Sequence, residues 1–385
     1  MARILFIYKQ FPAPGVGHAG GESLFKLMEA LYRRGHGLSL VARMLDEERP
    51  LLPHVEAICE RVDTVPHHRS LPGPRPLAVL RSYMALRRAT RRALHDLRPD
   101  LVHIETTQTA LALLGVQLPK SSFRTQDVNW FLQQQRAAHT RGLRQLWAKA
   151  TGALYRRLEP ALWRRYDLLL AISEGDKALL AAAGGTQPLL LLPLTPAVSP
   201  EPPTPPAVLA GLNLLFVGAM GRDHNRDGVT WFLDHVWPLI RTAVPAARFY
   251  VVGGSPTAEL QTRADGEHCF VTGFVADLAP WYRAAAVFVS PLLVAGGLLQ
   301  KVMDAMAFGV PVVATSVCNH GLGATPGEHL VIADTPEAFA AAVIALLLDP
   351  EACARIGAAG QRFIHENYDV ETSIACWEAA LLQLL

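Results

Sequence analysis

The residues with the most evident chemistry lie between Val287 and Thr315, in the run VFVSPLLVAGGLLQKVMDAMAFGVPVVAT. Gly296 and Gly297 open a tight turn after an apolar, β-prone segment that Pro291 ends. A stretch of helical composition follows from Leu298 to Phe308, with Gly309 placed as a helix stop. A glycine turn opening a helix after a parallel strand leaves backbone N–H groups and the positive end of the helix dipole facing outward, which suits an anion. Lys301 and Asp304 share one face of that helix. The lysine can meet a phosphate, and the aspartate can accept from a sugar or ribose hydroxyl. The same spacing also fits an ordinary strand–turn–helix carrying a surface ion pair.

A second glycine cluster sits near the start. Ile4–Tyr8 reads as a buried strand, Gln10 to Gly21 as a loop, and Glu22 to Arg34 as a helix with Leu24, Leu27, Met28 and Leu31 on its apolar face. Gly20 and Gly21 then precede a helix N-terminus and can hold an anion or a substrate, although no GxGxxG follows the strand directly. His18 beside them can touch phosphate or be a plain loop histidine. His103 and Glu105 end the strand Leu101–Glu105 and are candidates for an acceptor contact. His224 and His320 read as surface histidines, Trp231 and Phe232 as core.

These residues are positioned by alternating strands and helices. In the first half, strands are expected at Ile4–Tyr8, Leu38–Ala42, Leu101–Glu105, from Phe123 towards Asp127, at Leu168–Ile172 and at Leu189–Leu192; one long helix is expected from Trp130 to Leu162. In the second half, strands are expected at Asn213–Val217, Arg248–Val252, Cys269–Val271, Val287–Ser290, Pro311–Thr315 and Leu330–Ala333. Apolar, uninterrupted strands alternating with helices mean parallel sheets covered on both faces. The fold class is α/β: two Rossmann-like, doubly wound domains with a ligand cleft between them at the carboxyl ends of the strands, and a C-terminal helix crossing back. The expected domains are 1–195, a proline-rich linker 196–210, 211–368, and a returning helix at 369–385.

The 385 residues suit two domains, and 50% hydrophobic with 18% charged residues is globular rather than disordered. No apolar run reaches the roughly 18–20 residues that span a bilayer. Five widely spaced cysteines without a CxxC indicate neither a disulfide framework nor a zinc site, and a reducing cytoplasm is expected. The net charge of +2 is unevenly spread: Arg75–Arg98 and Arg136–Arg165 are rich in arginine, the latter with Trp147, Tyr155 and Trp163 interleaved. Such helices fit an anionic membrane surface, here the inner face of a membrane, or a solvated helix face. No nucleic-acid-binding motif accompanies the charge, so no nucleic-acid partner is expected.

Several segments in order carry a resemblance. They are Phe216-Val217-Gly218, Asn225-Arg226-Asp227-Gly228, Val251-Val252-Gly253-Gly254, Val271 to Asp277, Gly296-Gly297, Lys301, Asp304-Ala305-Met306-Ala307 and Gly309-Val310-Pro311. Through them Leu212 to Tyr368 resembles the metal-independent glycosyltransferases of the GT-B fold, in their large retaining group 1 branch (family-4-like). The first half is similar more loosely, through Gly20-Gly21-Glu22, Gln126-Asp127-Val128-Asn129 and Ile172 to Asp176. The resemblance implies sugar transfer from a nucleotide-sugar donor to a lipid-linked, polysaccharide or other glycan acceptor, without a cofactor or metal. Its alternatives are a non-catalytic relative that binds nucleotide-sugar or glycan, and a sugar-nucleotide epimerase.

By the same resemblance Asp127, Lys301 and Asp304 fall at catalytic positions. Gly20, Gly21, Gly296 and Gly297 approach the donor; Arg222 or Arg226, with Lys301, faces its diphosphate; Gly273, Phe274 and Val275 line the nucleobase pocket; and Asp304 takes the place of a ribose-binding glutamate. The chain departs from the family pattern at Gln126, where a histidine is common, and at Leu298-Leu299, where a Thr-Arg pair would bring a phosphate-binding arginine.

Overall fold

The computed structural model describes residues 1–16, 18–193 and 211–385. The expected linker 196–210 lies outside the described residues. The chain divides into two compact units: Met1–Phe131 with Lys149–Thr195 and Val370–Leu385, and Leu132–Ala148 with Pro196–Asp369.

The first unit holds a seven-stranded sheet. Its strands are β1 (Arg3–Tyr8), β2 (Gly37–Met44), β3 (Arg61–Pro66), β4 (Leu101–Glu105), β5 (Lys120–Thr125), β6 (Leu168–Ala171) and β7 (Leu189–Leu191), ordered β3-β2-β1-β4-β5-β6-β7. Every pairing is parallel; Ile4, for example, lies between Leu38 and Leu101. β1 is buried on both faces from Ile4 to Tyr8, as a central parallel strand must be. Helix Ala19–Arg33 covers one face with Leu24, Leu27, Met28 and Leu31, which pack with Ile4, Phe6 and Tyr8. Helix Arg75–Leu97 covers the other through Leu86, Ala89 and Ala93.

The C-terminal helix Val370–Leu384 groups with this first unit. Trp377 is fully buried, its ring 5.0 Å from His103 and 6.5 Å from Phe6. Glu378 fastens the helix, accepting from Arg34 at 2.9 Å and lying 2.7 Å from His36 Nε2.

The second unit holds a six-stranded parallel sheet: β8 (Asn213–Val217), β9 (Arg248–Val252), β10 (Cys269–Gly273), β11 (Val287–Ser290), β12 (Val312–Ala314) and β13 (Val331–Ile332), ordered β10-β9-β8-β11-β12-β13. In each sheet the order reverses beside the first strand, at β1/β4 and at β8/β11. Such a reversal opens a crevice at the carboxyl ends of those two strands.

Some boundaries differ from expectation. β3 was not foreseen: RVDTVP carries two charges in six residues, and an edge strand tolerates what a central one would not. The first helix begins at Ala19, so Gly20 and Gly21 occupy its first turn rather than a preceding loop. The long helix expected from Trp130 to Leu162 is two, Asn129–His139 and Leu143–Trp163, parted at Gly142, whose φ of +63° takes the backbone out of the right-handed helix.

Candidate active site

In the second unit, the helix Gln300–Ala307 starts two residues later than its composition suggested. Gly297 has a φ of +59°, and no side chain caps the helix, so its first N–H groups face the turn. Lys301 leaves the first turn towards the reversal between β8 and β11. Its Nζ donates to Asn225 Oδ1 at 2.5 Å and stands 4.4 Å above the Phe216 ring. Asn225, itself buried, donates from Nδ2 to the Ala219 carbonyl at 2.9 Å. Gly218 allows this approach, because a Cβ there would lie 2.8 Å from both Lys301 Nζ and Asn225 Nδ2.

Lys301 departs from the ordinary lysine range. Burial pulls it down to about 7, Arg222 adds to the lowering, and Cys318 partly offsets it. His224, half-buried on the adjoining helix Asp223–Trp231, is lowered to about 4 by burial and by the cations Lys301, Arg222 and Arg136, with Asp223 opposing. Lys301, Arg222 and Arg136 thus act together on His224, and the charge around it is positive in balance. That field favours an anion. The surface histidine expected at 224 is instead part of this cluster, whereas His320 is exposed.

Arg136 was read as part of a basic helix and not as a site residue. Its neighbour Gln135 accepts from the Ala295 N–H at 3.0 Å, which ties residues 132–139 to the glycine turn Gly296-Gly297. No local sequence signal marks either residue, because the contact joins positions 160 apart.

Arg226 points elsewhere. It is held by Asp223 at 3.0 Å and Asp227 at 3.3 Å, and it lines a separate hollow with Thr257, Glu259 and Arg263. Asp304 is 6% exposed and accepts from Gln300 Nε2 at 2.7 Å, so most of its surface is turned inward. At the end of β10, Gly273 has a φ of +75°, Val275 is half-buried and Phe274 is 68% exposed.

In the first unit, Gly20 packs directly on polar groups. A Cβ there would fall 2.6 Å from Gln126 Oε1 and 2.7 Å from the Tyr8 hydroxyl. His18 caps the same helix by accepting from the Gly21 N–H at 2.9 Å. Gln126 in turn donates to Glu105 Oε2 at 3.0 Å.

The structure turns His103 and Glu105, expected to meet an acceptor, inward. Both side chains are without exposed surface. Glu105 accepts from Arg124 Nε at 2.7 Å and lies 3.0 Å from His103 Nε2, while His103 Nδ1 lies 2.8 Å from Ser122 Oγ. Burial alone would raise Glu105, but Arg124, His103 and Gln126 together hold it below the ordinary carboxylate range. Burial lowers His103, with Glu105 opposing. A parallel strand buried on both faces hides its last residues as well as its middle ones, and here an internal ion pair makes that tolerable.

Thr106, which follows Glu105, has a φ of +71°, a strained value for a β-branched residue and one often stored at functional edges. Asp127 is exposed at the carboxyl end of β5. Behind it, burial pushes Asp176 up to about 7, with Asp127 and Glu159 contributing. Among the described residues, no group of three or more His, Cys, Asp or Glu side chains is placed to hold a metal ion.

The chain as a whole is similar to known proteins. Residues 20–195 match the model described as a glycosyl transferase 4-like domain, and 211–349 match glycosyl transferases group 1. Together the two models span most of the chain, which belongs to the group 1 glycosyltransferases. An uncharacterized 44.6 kDa protein in the cps region of Klebsiella pneumoniae is 30% identical over 169 residues, 42% of this chain and 44% of that protein. The lipopolysaccharide core biosynthesis mannosyltransferase LpsB of Rhizobium meliloti is 29% identical over 169 residues, 40% of this chain and 48% of that protein. The match therefore spans about half the length of these curated relatives. Among solved structures, sucrose-phosphate synthase from Thermosynechococcus elongatus aligns with a TM-score of 0.76 at 17% identity, covering 100% of this chain and 99% of that one. Anabaena HepE in complex with UDP aligns at 0.69 and 17%, covering 100% of both. These likenesses show the GT-B fold.

Proposed function

We propose that the protein transfers a sugar from a nucleotide-sugar donor to a glycan or lipid-linked acceptor, working at an anionic membrane surface. The observation that carries the reading is Lys301 bonded to Asn225 above the Phe216 ring of β8, beside a helix N-terminus without a side-chain cap, with Arg222 and Arg136 adding positive charge around His224. The leaving group of such a transfer is a nucleoside diphosphate, so charge grows on a phosphate oxygen as the glycosidic bond breaks. Fixed cations and backbone N–H groups aimed at that oxygen lower the barrier without moving. Arg136 takes the part of the arginine that Leu298-Leu299 lacks.

In this reading Phe274 offers its exposed ring to the nucleobase. Gln300, held by Asp304, meets the donor's hydroxyls, and Asp304 acts through it. On the first unit, Gln126 and Asp127 face the acceptor, with Glu105 behind Gln126. The HepE structures with UDP and with UDP-glucose make uridine the first base to try.

The test is thermal stability of the purified protein against UDP-, GDP-, ADP- and dTDP-sugars. A donor at 100 times its Kd should add about 2.7 kcal/mol of stability. One nucleotide should stabilise the protein and fail with Lys301→Ala. Stabilisation by none of them would remove the reading.

A further inference from the structure

We propose that the outward face of helix Leu143–Trp163 is the surface that seats on an anionic lipid bilayer, with Leu143, Leu146, Trp147, Leu154 and Leu158 entering the headgroup region. These side chains are 84, 62, 73, 54 and 41% exposed. Their spacing of 3, 4, 11 and 15 residues from Leu143 places all five within an arc of about 120° at about 100° per residue. The helix already has another face that packs: Ala148, Glu159, Leu162 and Trp163 are buried. The exposed stripe is therefore additional to the core-facing one. Single exposed leucines are ordinary; five apolar side chains in one strip are a surface with a use.

The charges name the occupant. Arg144, Lys149, Arg156 and Arg157 are exposed on the same helix. The only acid between residues 141 and 165 is Glu159, which is buried and accepts from the Asn129 and Trp130 N–H groups, both at 3.2 Å. Helix Arg75–Leu97 repeats the arrangement, with Leu77, Leu80 and Met84 exposed beside Arg81 and Arg88. Its acid, Asp96, is tied to Arg61 at 3.1 Å. Self-association through a two-fold axis would set Arg157, and the cations that flank the stripe, against their own copies, and like charges would oppose it. Anionic headgroups complement it, and tryptophan and leucine suit the boundary between headgroup and acyl chain. Among the described residues no helix is long and apolar enough to cross a membrane, so the stripe lies on the surface rather than through it.

The assignment deepens the membrane placement proposed above, and one assay separates the two. The full chain is sedimented with vesicles of phosphatidylcholine, with and without phosphatidylglycerol, at low and high salt. Binding should require phosphatidylglycerol and weaken with salt. Trp147→Ser with Leu154→Ser should lower the partition constant more than tenfold, and Arg144→Gln with Arg157→Gln should lower it by about fivefold per cation. All these positions are exposed, so thermal stability and UDP binding should be unchanged, which shows that the variants fold.

Wild-type binding that survives both double variants would overturn the stripe while leaving the membrane placement. No binding to either vesicle would overturn both, and a dimer that Trp147→Ser dissolves would then assign the stripe to self-association. UDP binding in the same samples reads the donor site independently of all three outcomes.

Discussion

Replacing Lys301 by methionine keeps the length of the stem and removes the amine. In the free protein that amine sits at about 7 and is bonded to Asn225 Oδ1. A diphosphate beside it would hold the ammonium form. Wild type should therefore take up about 0.9 proton on binding UDP at pH 8 and about 0.1 at pH 6 from this group, and affinity should fall roughly tenfold per pH unit above 7. His224, lowered to about 4, is neutral across this range in the free protein.

In Lys301→Met the Lys301 share of proton uptake should vanish. The loss of a charge-assisted contact in an enclosed site should weaken UDP by about 2–3 kcal/mol, or 30- to 150-fold. The assay is titration calorimetry at pH 6 and pH 8 in two buffers of different ionisation enthalpy. Subtracting the variant from wild type isolates Lys301 from the phosphate's own titration. Equal uptake in both proteins at pH 8 would refute the argument. Stability has its own sign. The unfolded lysine binds its proton below about 10.5 and the folded one only below about 7, so this group makes the free protein more stable as pH rises between those values.

Trp377→Ala empties a fully buried site against Phe6 and His103, and should lower stability by about 3–5 kcal/mol in denaturant unfolding. Gly253→Ala would put a Cβ 2.0 Å from the Gly218 carbonyl oxygen at a φ of +147°; a loss of about 3 kcal/mol or more is expected by the same method. Phe274→Ala removes a ring that is 68% exposed, so stability should change by no more than about 0.5 kcal/mol. UDP affinity should nonetheless drop by about 1–3 kcal/mol if the ring stacks on the base.

Much of the architecture was legible because parallel strands buried on both faces are written as short unbroken apolar runs. Asn213–Val217, Arg248–Val252 and Val287–Ser290 fall where their mainly apolar composition puts them. The turn at Gly296-Gly297 and the lysine four residues on were legible for a related reason: glycine at positive φ and helix-forming residues act locally. The charged edge strand Arg61–Pro66 was not, since its periodicity is broken by Arg61 and Asp63, which pair with each other at 2.9 Å.

Residue types and spacing alone established two α/β halves, a glycine turn before Lys301, and an arginine-rich surface short of acids. The tertiary structure decided which of those charges meet. It put His224 in the field of Arg136, turned Arg226 towards Asp223 and Asp227, and sealed His103 and Glu105 around Arg124. The reason is physical. A backbone conformation is set by neighbours within a few residues, whereas the field at an amine is set by every charge within several ångströms, however far apart in the chain.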